Sequence, residues 1–172
     1  MRGLLGALAL VITAVVPAST SLHAQVATTA AQASLVWFHG EWEGDVDFIG
    51  SPAKGRLVVR PGLVGSATQL TFTADISAKG NSPAFRFEGQ GTYRIKPDGS
   101  VTGLWADSYG NFHQLKGRVK PGELRVNWGD ARSEMGHSSY VLGADGVLTV
   151  TDSAMINGAV QVFGTATYRK KS

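Results

Sequence analysis

The chain has 172 residues, no cysteine and a formal net charge of +3 at pH 7. A charge this small, and this dispersed along the chain, does not indicate a nucleic-acid partner. Without cysteine, disulfides and a lipid anchor on cysteine are excluded, so we expect the apolar core alone to hold the fold.

The first 24 residues have the layout of a secretory signal peptide. A positive start at Arg2 is followed by an apolar run over 4–16 and by small residues up to Ala24. The run is shorter than the about 20 residues that a spanning helix needs. We expect cleavage after Ala24, with Ala18 as the alternative, and hence an exported protein that is periplasmic or secreted. Residues 25–34 are small and polar and are predicted to be a linker.

From residue 35 onward, apolar and polar residues mostly alternate, which is the period of a β-strand with one buried face. Ten segments show the pattern: 41–49, 54–60, 67–77, 84–96, 100–107, 112–120, 123–129, 134–142, 147–156 and 159–169. The fold class is therefore all-β. We expect one up-and-down antiparallel β-barrel over 35–170, because closure removes unpaired strand edges. A β-sandwich would need longer crossing connections than these.

Four turn signatures orient the predicted barrel. They are Arg60-Pro61-Gly62, Lys96-Pro97-Asp98-Gly99, Lys120-Pro121-Gly122 and Ala144-Asp145-Gly146. Proline presets φ at the start of a turn, and glycine accepts the positive φ that follows. Because two strands separate successive signatures, all four are predicted at one end. The connections at the other end include longer ones rich in small polar residues, as expected for a mouth.

A short motif at the start of the barrel carries a family resemblance. Gly40-Glu41-Trp42 opens the first predicted strand, and Arg169 closes the last. In this arrangement the chain resembles the calycin superfamily, which comprises lipocalins, fatty-acid-binding proteins and ten-stranded nitrobindin-like barrels. In lipocalins, such a motif places a tryptophan at the closed end, covered by an arginine from the last strand. The resemblance implies that Trp42 and Arg169 meet at the tight-turn end.

The resemblance also bears on cofactors. Nitrobindin-like barrels bind haem through a histidine near the C-terminus. The last predicted strand, 159–169, contains no histidine. Haem binding through such a histidine is therefore not expected, and no cofactor is predicted.

Three polar residues near the mouth fall on strand phases that should face inward: Asp107, His113 and Asp152. One interpretation is a polar patch at the mouth of an apolar cavity, where it would orient the head group of a ligand. The walls of that cavity would include Trp105, Trp128 and Phe72. The structural alternative is an Asp–His contact that ends a hairpin, in a barrel filled solid by its side chains.

Acidic side chains alternate along the first predicted strand: Glu41, Glu43, Asp45 and Asp47. Side chains two residues apart on one strand face are about 7 Å apart, which is too open to cage a metal ion without loop ligands. We therefore predict no metal site and expect cross-strand ion pairs. Their basic partners would come from the two neighbouring strands: Arg56, Arg60 and either Arg169 or Lys171.

Taken together, these patterns favour an exported lipocalin-like barrel that binds a small apolar or amphipathic molecule. Two other functions stay open. An enzyme could use His113 as a base oriented by Asp107, and an outer-membrane barrel would show a similar alternation. The sequence has no aromatic girdles, so stable membrane insertion is not expected.

Overall fold

The computed structural model describes residues 35–130 and 134–172. The expected signal peptide (1–24) and linker (25–34) lie outside the described residues. The described part contains two short 3-10 helices, η1 (Val36–Phe38) and η2 (Leu63–Gly65), and ten strands. The strands are β1 (Gly40–Phe48), β2 (Ser51–Gly62), β3 (Ala67–Ile76), β4 (Phe85–Ile95), β5 (Ser100–Asp107), β6 (Phe112–Lys120), β7 (Glu123–Gly129), β8 (Met135–Leu142), β9 (Val147–Ile156) and β10 (Ala159–Lys170). None of the helices in these residues is long and apolar enough to cross a membrane.

The ten strands form one closed antiparallel barrel. Each strand pairs with its neighbours in chain order, and β1 closes the sheet by pairing with β10. The predicted all-β, up-and-down barrel is confirmed. Apart from β2, the strand bounds agree with the predicted segments to within one residue at each end.

The first turn signature is an error of the sequence analysis. Pro61 and Gly62 continue β2 and pair with Thr68 and Ala67 of β3, so the turn comes later, at η2. Proline is tolerated here because β1 begins opposite Val59, and the N–H that proline lacks has no β1 partner to bond. The other three signatures are turns with a glycine at positive φ, and all four connections lie at one end as predicted.

That end of the barrel is closed by packed side chains. Trp42 is 2 % exposed, and its indole Nε1 donates a hydrogen bond of 3.0 Å to the carbonyl oxygen of Phe38. Phe38 itself is fully buried, with its ring 5.1 Å from the ring of Tyr140. The segment 35–38 therefore acts as a plug. Further buried residues fill the same end: Val59, Leu70, Val101, Leu124 and Leu148.

The cation that covers Trp42 is Lys170, and the expectation of Arg169 is wrong. The Lys170 ammonium lies 5.5 Å from the centre of the indole ring. Tyr168 is buried on the inward phase of β10, so Arg169 faces outward, opposite Glu43 in the register. Lys170 then falls on the same phase as Tyr168. A Cβ atom at Gly40 would collide with the Lys170 side chain, so glycine leaves the room that the lysine uses.

The outer face of β1 carries the expected ion pairs. Arg56 and Arg60 both reach Glu41, at 2.8 and 3.0 Å, and Lys171 reaches Glu43 at 2.9 Å. All of these groups are accessible to solvent, so each pair adds little to the stability of the fold. The acidic stripe is thus a charge-paired outer surface.

We predict that Trp42→Ala lowers the free energy of unfolding by about 3–5 kcal/mol, because it removes a fully buried ring and opens a cavity. Urea denaturation followed by circular dichroism measures the change. Phe112→Ala is the matched control, since that ring is 68 % exposed, and we expect it to cost under about 1 kcal/mol. Equal stability of the two variants would contradict the packing described for the closed end.

Candidate functional site

The half of the barrel nearer the mouth is hollow. It encloses a cavity of about 470 Å³ that runs from the rim down to the side chains of Tyr93, Tyr140 and Tyr168. Ligand pockets generally begin at roughly 300 Å³. The alternative of a barrel filled solid therefore describes the closed end and fails for this half.

All six residues that the sequence analysis assigned to ligand binding line this one cavity. They come from five different strands: Phe72 (β3), Trp105 and Asp107 (β5), His113 (β6), Trp128 (β7) and Asp152 (β9). Strand alternation is sufficient to bring them together, because each falls on the inward phase of its strand.

One side of the cavity is a continuous aromatic wall. The Phe87 ring lies 5.3 Å from that of Phe48, 5.8 Å from that of Phe72 and 5.4 Å from that of Tyr109. Tyr109 belongs to the β5–β6 connection and is 60 % exposed. The wall therefore extends from the barrel interior to the rim.

The two cavity tryptophans lie flat against glycines of neighbouring strands. A Cβ atom at Gly89 would collide with the Trp105 ring, and one at Gly136 would collide with the Trp128 ring. Glycine at these positions lets each indole lie along the wall instead of crossing the interior. The two glycines therefore help to keep the centre of the cavity open.

Asp107 is occupied by its own hairpin turn. Its Oδ1 accepts hydrogen bonds from the backbone N–H groups of Tyr109 (3.0 Å) and Asn111 (3.2 Å). Its Oδ2 accepts from Trp105 Nε1 (3.1 Å) and from the Asn111 side-chain amide (3.2 Å). The carboxylate thus fixes the turn and the Trp105 ring, which is a structural role.

His113 packs against Trp128, with ring centres 5.4 Å apart. It pairs in register with Trp105, so it lies one inward position away from Asp107. Among the described residues, no hydrogen bond joins His113 to Asp107. The contact between base and orienting carboxylate that the enzyme alternative needs is therefore missing from this geometry.

The floor of the cavity carries a polar cluster that the sequence analysis identified only in part. Asp152 accepts a hydrogen bond from Ser138, which lies directly opposite on β8. Next to them lie three buried tyrosines, of which Tyr93 and Tyr140 share a side-chain hydrogen bond. Tyr140 was missed because the inward phase of β8 is ambiguous from the sequence: Met135, His137 and Val141 share one phase, and Tyr140 and Leu142 share the other. The signal for Tyr93 and Tyr168 was their place on clearly inward phases.

Burial dominates the electrostatics of this floor. It raises the pKa of Asp152 to about 6, against the opposing effects of the Ser138 hydrogen bond and the charge of His137. Burial likewise raises the pKa of Tyr93 to about 12. It raises the pKa values of Tyr140 and Tyr168 as well, and the nearby Asp152 charge adds to both shifts. At neutral pH the floor thus presents a largely ionised carboxylate among protonated hydroxyl groups.

Large apolar side chains form much of the cavity rim, beside the polar side chains of Asn111 and Glu134. Exposed large side chains surround the opening: Ile49, Phe85, Tyr109, Phe112, Met155 and Ile156. Four of them also line the cavity itself: Ile49, Tyr109, Met155 and Ile156. An apolar molecule would therefore meet apolar surface continuously from the opening to the walls.

Comparison with known proteins supports the fold and goes no further. No protein-family model matches the chain, and no curated protein matches it. A solved structure with the same fold is described as "Crystal Structure of Rv2717c from M. tuberculosis". It matches with a TM-score of 0.59 and 16 % sequence identity, covering 84 % of this chain and 99 % of that one. The expected membership of the calycin superfamily stays a prediction.

The raised pKa of Asp152 predicts a specific pH dependence of stability. The unfolded carboxyl loses its proton near its ordinary value of 3.8, whereas the folded carboxyl keeps it to about 6. In this window the folded state holds more protons, so the free energy of unfolding falls as pH rises and levels off above the window. Asp152→Asn removes the titrating carboxyl and with it this fall in the free energy of unfolding. We expect the variant to gain roughly 1–3 kcal/mol relative to the unmodified protein between about pH 4 and pH 7.

Urea titrations at several pH values test this expectation. Asp107→Asn is the control variant, because the Asp107 carboxylate lies at the mouth of the barrel, where it accepts hydrogen bonds from its own turn. A stability difference between Asp152→Asn and the unmodified protein that is constant across this pH range would contradict the burial of a titrating carboxyl at the floor.

Proposed function

We propose that this protein binds a small apolar or amphipathic molecule inside the barrel and that it does so as an exported binding protein. The observation that carries the proposal is the cavity of about 470 Å³, with aromatic walls, an apolar rim and a polar floor. Apolar walls with a few polar groups in fixed positions are typical of small-molecule sites. The predicted signal peptide supports export.

The contrast between the two ends of the barrel strengthens the proposal. Protein interiors are normally close-packed, and unfilled apolar space forgoes favourable dispersion contacts. At the closed end the same ten strands are filled by a plug and by Trp42. The number of strands does not by itself force a hollow interior. The open half is therefore a feature of its own side chains, as expected for a binding site.

The alternatives receive less support from the geometry. The enzyme hypothesis needs His113 oriented by Asp107, whose carboxylate is instead engaged by its own turn. In an outer-membrane barrel, the charged outer faces of β1 and β2 would contact lipid. A Lys or Arg side chain at the bilayer midplane destabilises such a barrel by about 2–4 kcal/mol. A barrel surrounded by water accommodates those charges without cost.

We predict that Ala166→Trp blocks the cavity, because Ala166 is buried on the inward phase of β10 and lines it. Binding of the neutral dye N-phenyl-1-naphthylamine, followed by its fluorescence, should weaken about tenfold or more. Thr167→Trp is the matched control: its side chain faces outward from the same strand, so dye affinity should stay unchanged.

Two results would contradict the proposed function. One is the absence of dye binding to the unmodified protein, together with no co-purifying small molecule in native mass spectrometry. The other is equal dye affinity of the Ala166→Trp and Thr167→Trp variants, which would place the dye outside the barrel.

A further inference from the structure

The cavity floor holds a carboxylate without a cationic partner at ion-pairing distance. The ion pairs of the described residues all lie on the outer surface and leave out Asp152. The groups that face Asp152 are Ser138 and Tyr140 from β8, Tyr93 from β4 and Tyr168 from β10. His137, whose charge lowers the pKa of Asp152, lies on the outward phase of β8 and does not face the cavity floor.

The carboxylate is open toward the cavity on the β10 side. Gly164 pairs with Asp152 in the register, at an irregularity in the strand that follows Val162. A Cβ atom at Gly164 would lie 3.5 Å from Asp152 Oδ2, at an ordinary contact distance, so backbone without a side chain borders the carboxylate here. Asp152 also lines the cavity directly. A ligand that fills the cavity down to its floor would therefore contact the Asp152 side chain.

A buried carboxylate in apolar surroundings is stable when it is paired or neutralised. Pairing by a ligand needs a cation that also donates hydrogen bonds. An alkylammonium group carries up to three donors and a positive charge, and the hydroxyl oxygens of Ser138 and the floor tyrosines can accept the remaining donors. The aromatic walls favour a cation as well, because the faces of indole rings attract positive charge.

Resting on the proposed function, we propose that the cavity selects an amphipathic amine, whose ammonium group binds Asp152 at the floor while its apolar part lies between the aromatic walls. A neutral alcohol or a carboxylic acid of equal length would fill the same walls but would leave Asp152 unpaired or repelled.

Isothermal titration calorimetry with three probes of equal chain length tests the inference: decylamine, 1-decanol and decanoate, at about pH 7.5. We expect decylamine to bind about tenfold or more tighter than 1-decanol, because its ammonium group can form a charged hydrogen bond with Asp152 in a desolvated site. Decanoate should bind most weakly, because its carboxylate is repelled by Asp152. Asp152→Asn should bind the amine and the alcohol about equally. Asp47→Asn, at an exposed carboxylate on the outer face of β1, should keep the preference.

The outcomes separate the two proposals. If 1-decanol binds and decylamine binds no tighter, the amine inference is overturned and the proposed function stands. The same holds if Asp152→Asn keeps the preference for the amine. If none of the three probes binds, the proposed function itself fails.

A pH titration keeps the inference testable if Asp152→Asn does not fold. Decylamine stays protonated well above neutral pH, so its preference over 1-decanol should fall as Asp152 takes up a proton below about pH 6. Ser138→Ala removes a hydrogen bond that lowers the pKa of Asp152, so the midpoint should move to higher pH. Asp47→Asn should leave the midpoint unchanged, because that carboxylate is exposed on the outer face of β1. A preference that is independent of pH would overturn the inference.

Discussion

Closure of the sheet through β1 and β10 fixes the width of this barrel, and the rest of the molecule depends on how that width is filled. At one end, the plug and Trp42 fill it completely. At the other end, Trp105 and Trp128 lie along the walls over Gly89 and Gly136 and leave the centre empty. One ten-stranded frame thus combines a solid half that stabilises the fold with a hollow half that can hold a ligand.

The boundary between the two halves is where the chemistry is concentrated. Burial raises the pKa of Asp152 because the carboxylate lies deep in the barrel, beside the buried tyrosines that form the floor. A charge at this depth is costly unless something pairs with it. The polar group that a ligand would meet therefore lies beside the buried side chains that fill the closed half of the barrel.

Much of this arrangement follows from local sequence patterns. In β7, Leu124 and Val126 alternate with polar residues and are both buried, as expected. Alternation also placed Asp107, His113 and Asp152 on inward phases. The errors are local as well. Because side chains alternate faces with a period of two, a single residue at the end of β10 decides whether Arg169 or Lys170 covers Trp42.

What the sequence could not provide depends on contacts between distant residues. The inward phase of β8 is set by pairing Ser138 with Asp152 on β9, which no pattern within β8 reveals. The open interior depends on how Trp105 and Trp128 rotate against neighbouring strands. Alternation predicts which side chains point inward but not how much space they leave.

The most direct measurement is a crystal structure of the protein grown with 10-bromodecan-1-ol, in which the anomalous signal of bromine locates the ligand. We expect bromine density inside the barrel, between Phe72 and Trp128, with the rest of the ligand's alkyl chain in the same cavity. A cavity that stays empty at saturating ligand, with bromine density confined to the outer surface, would contradict it.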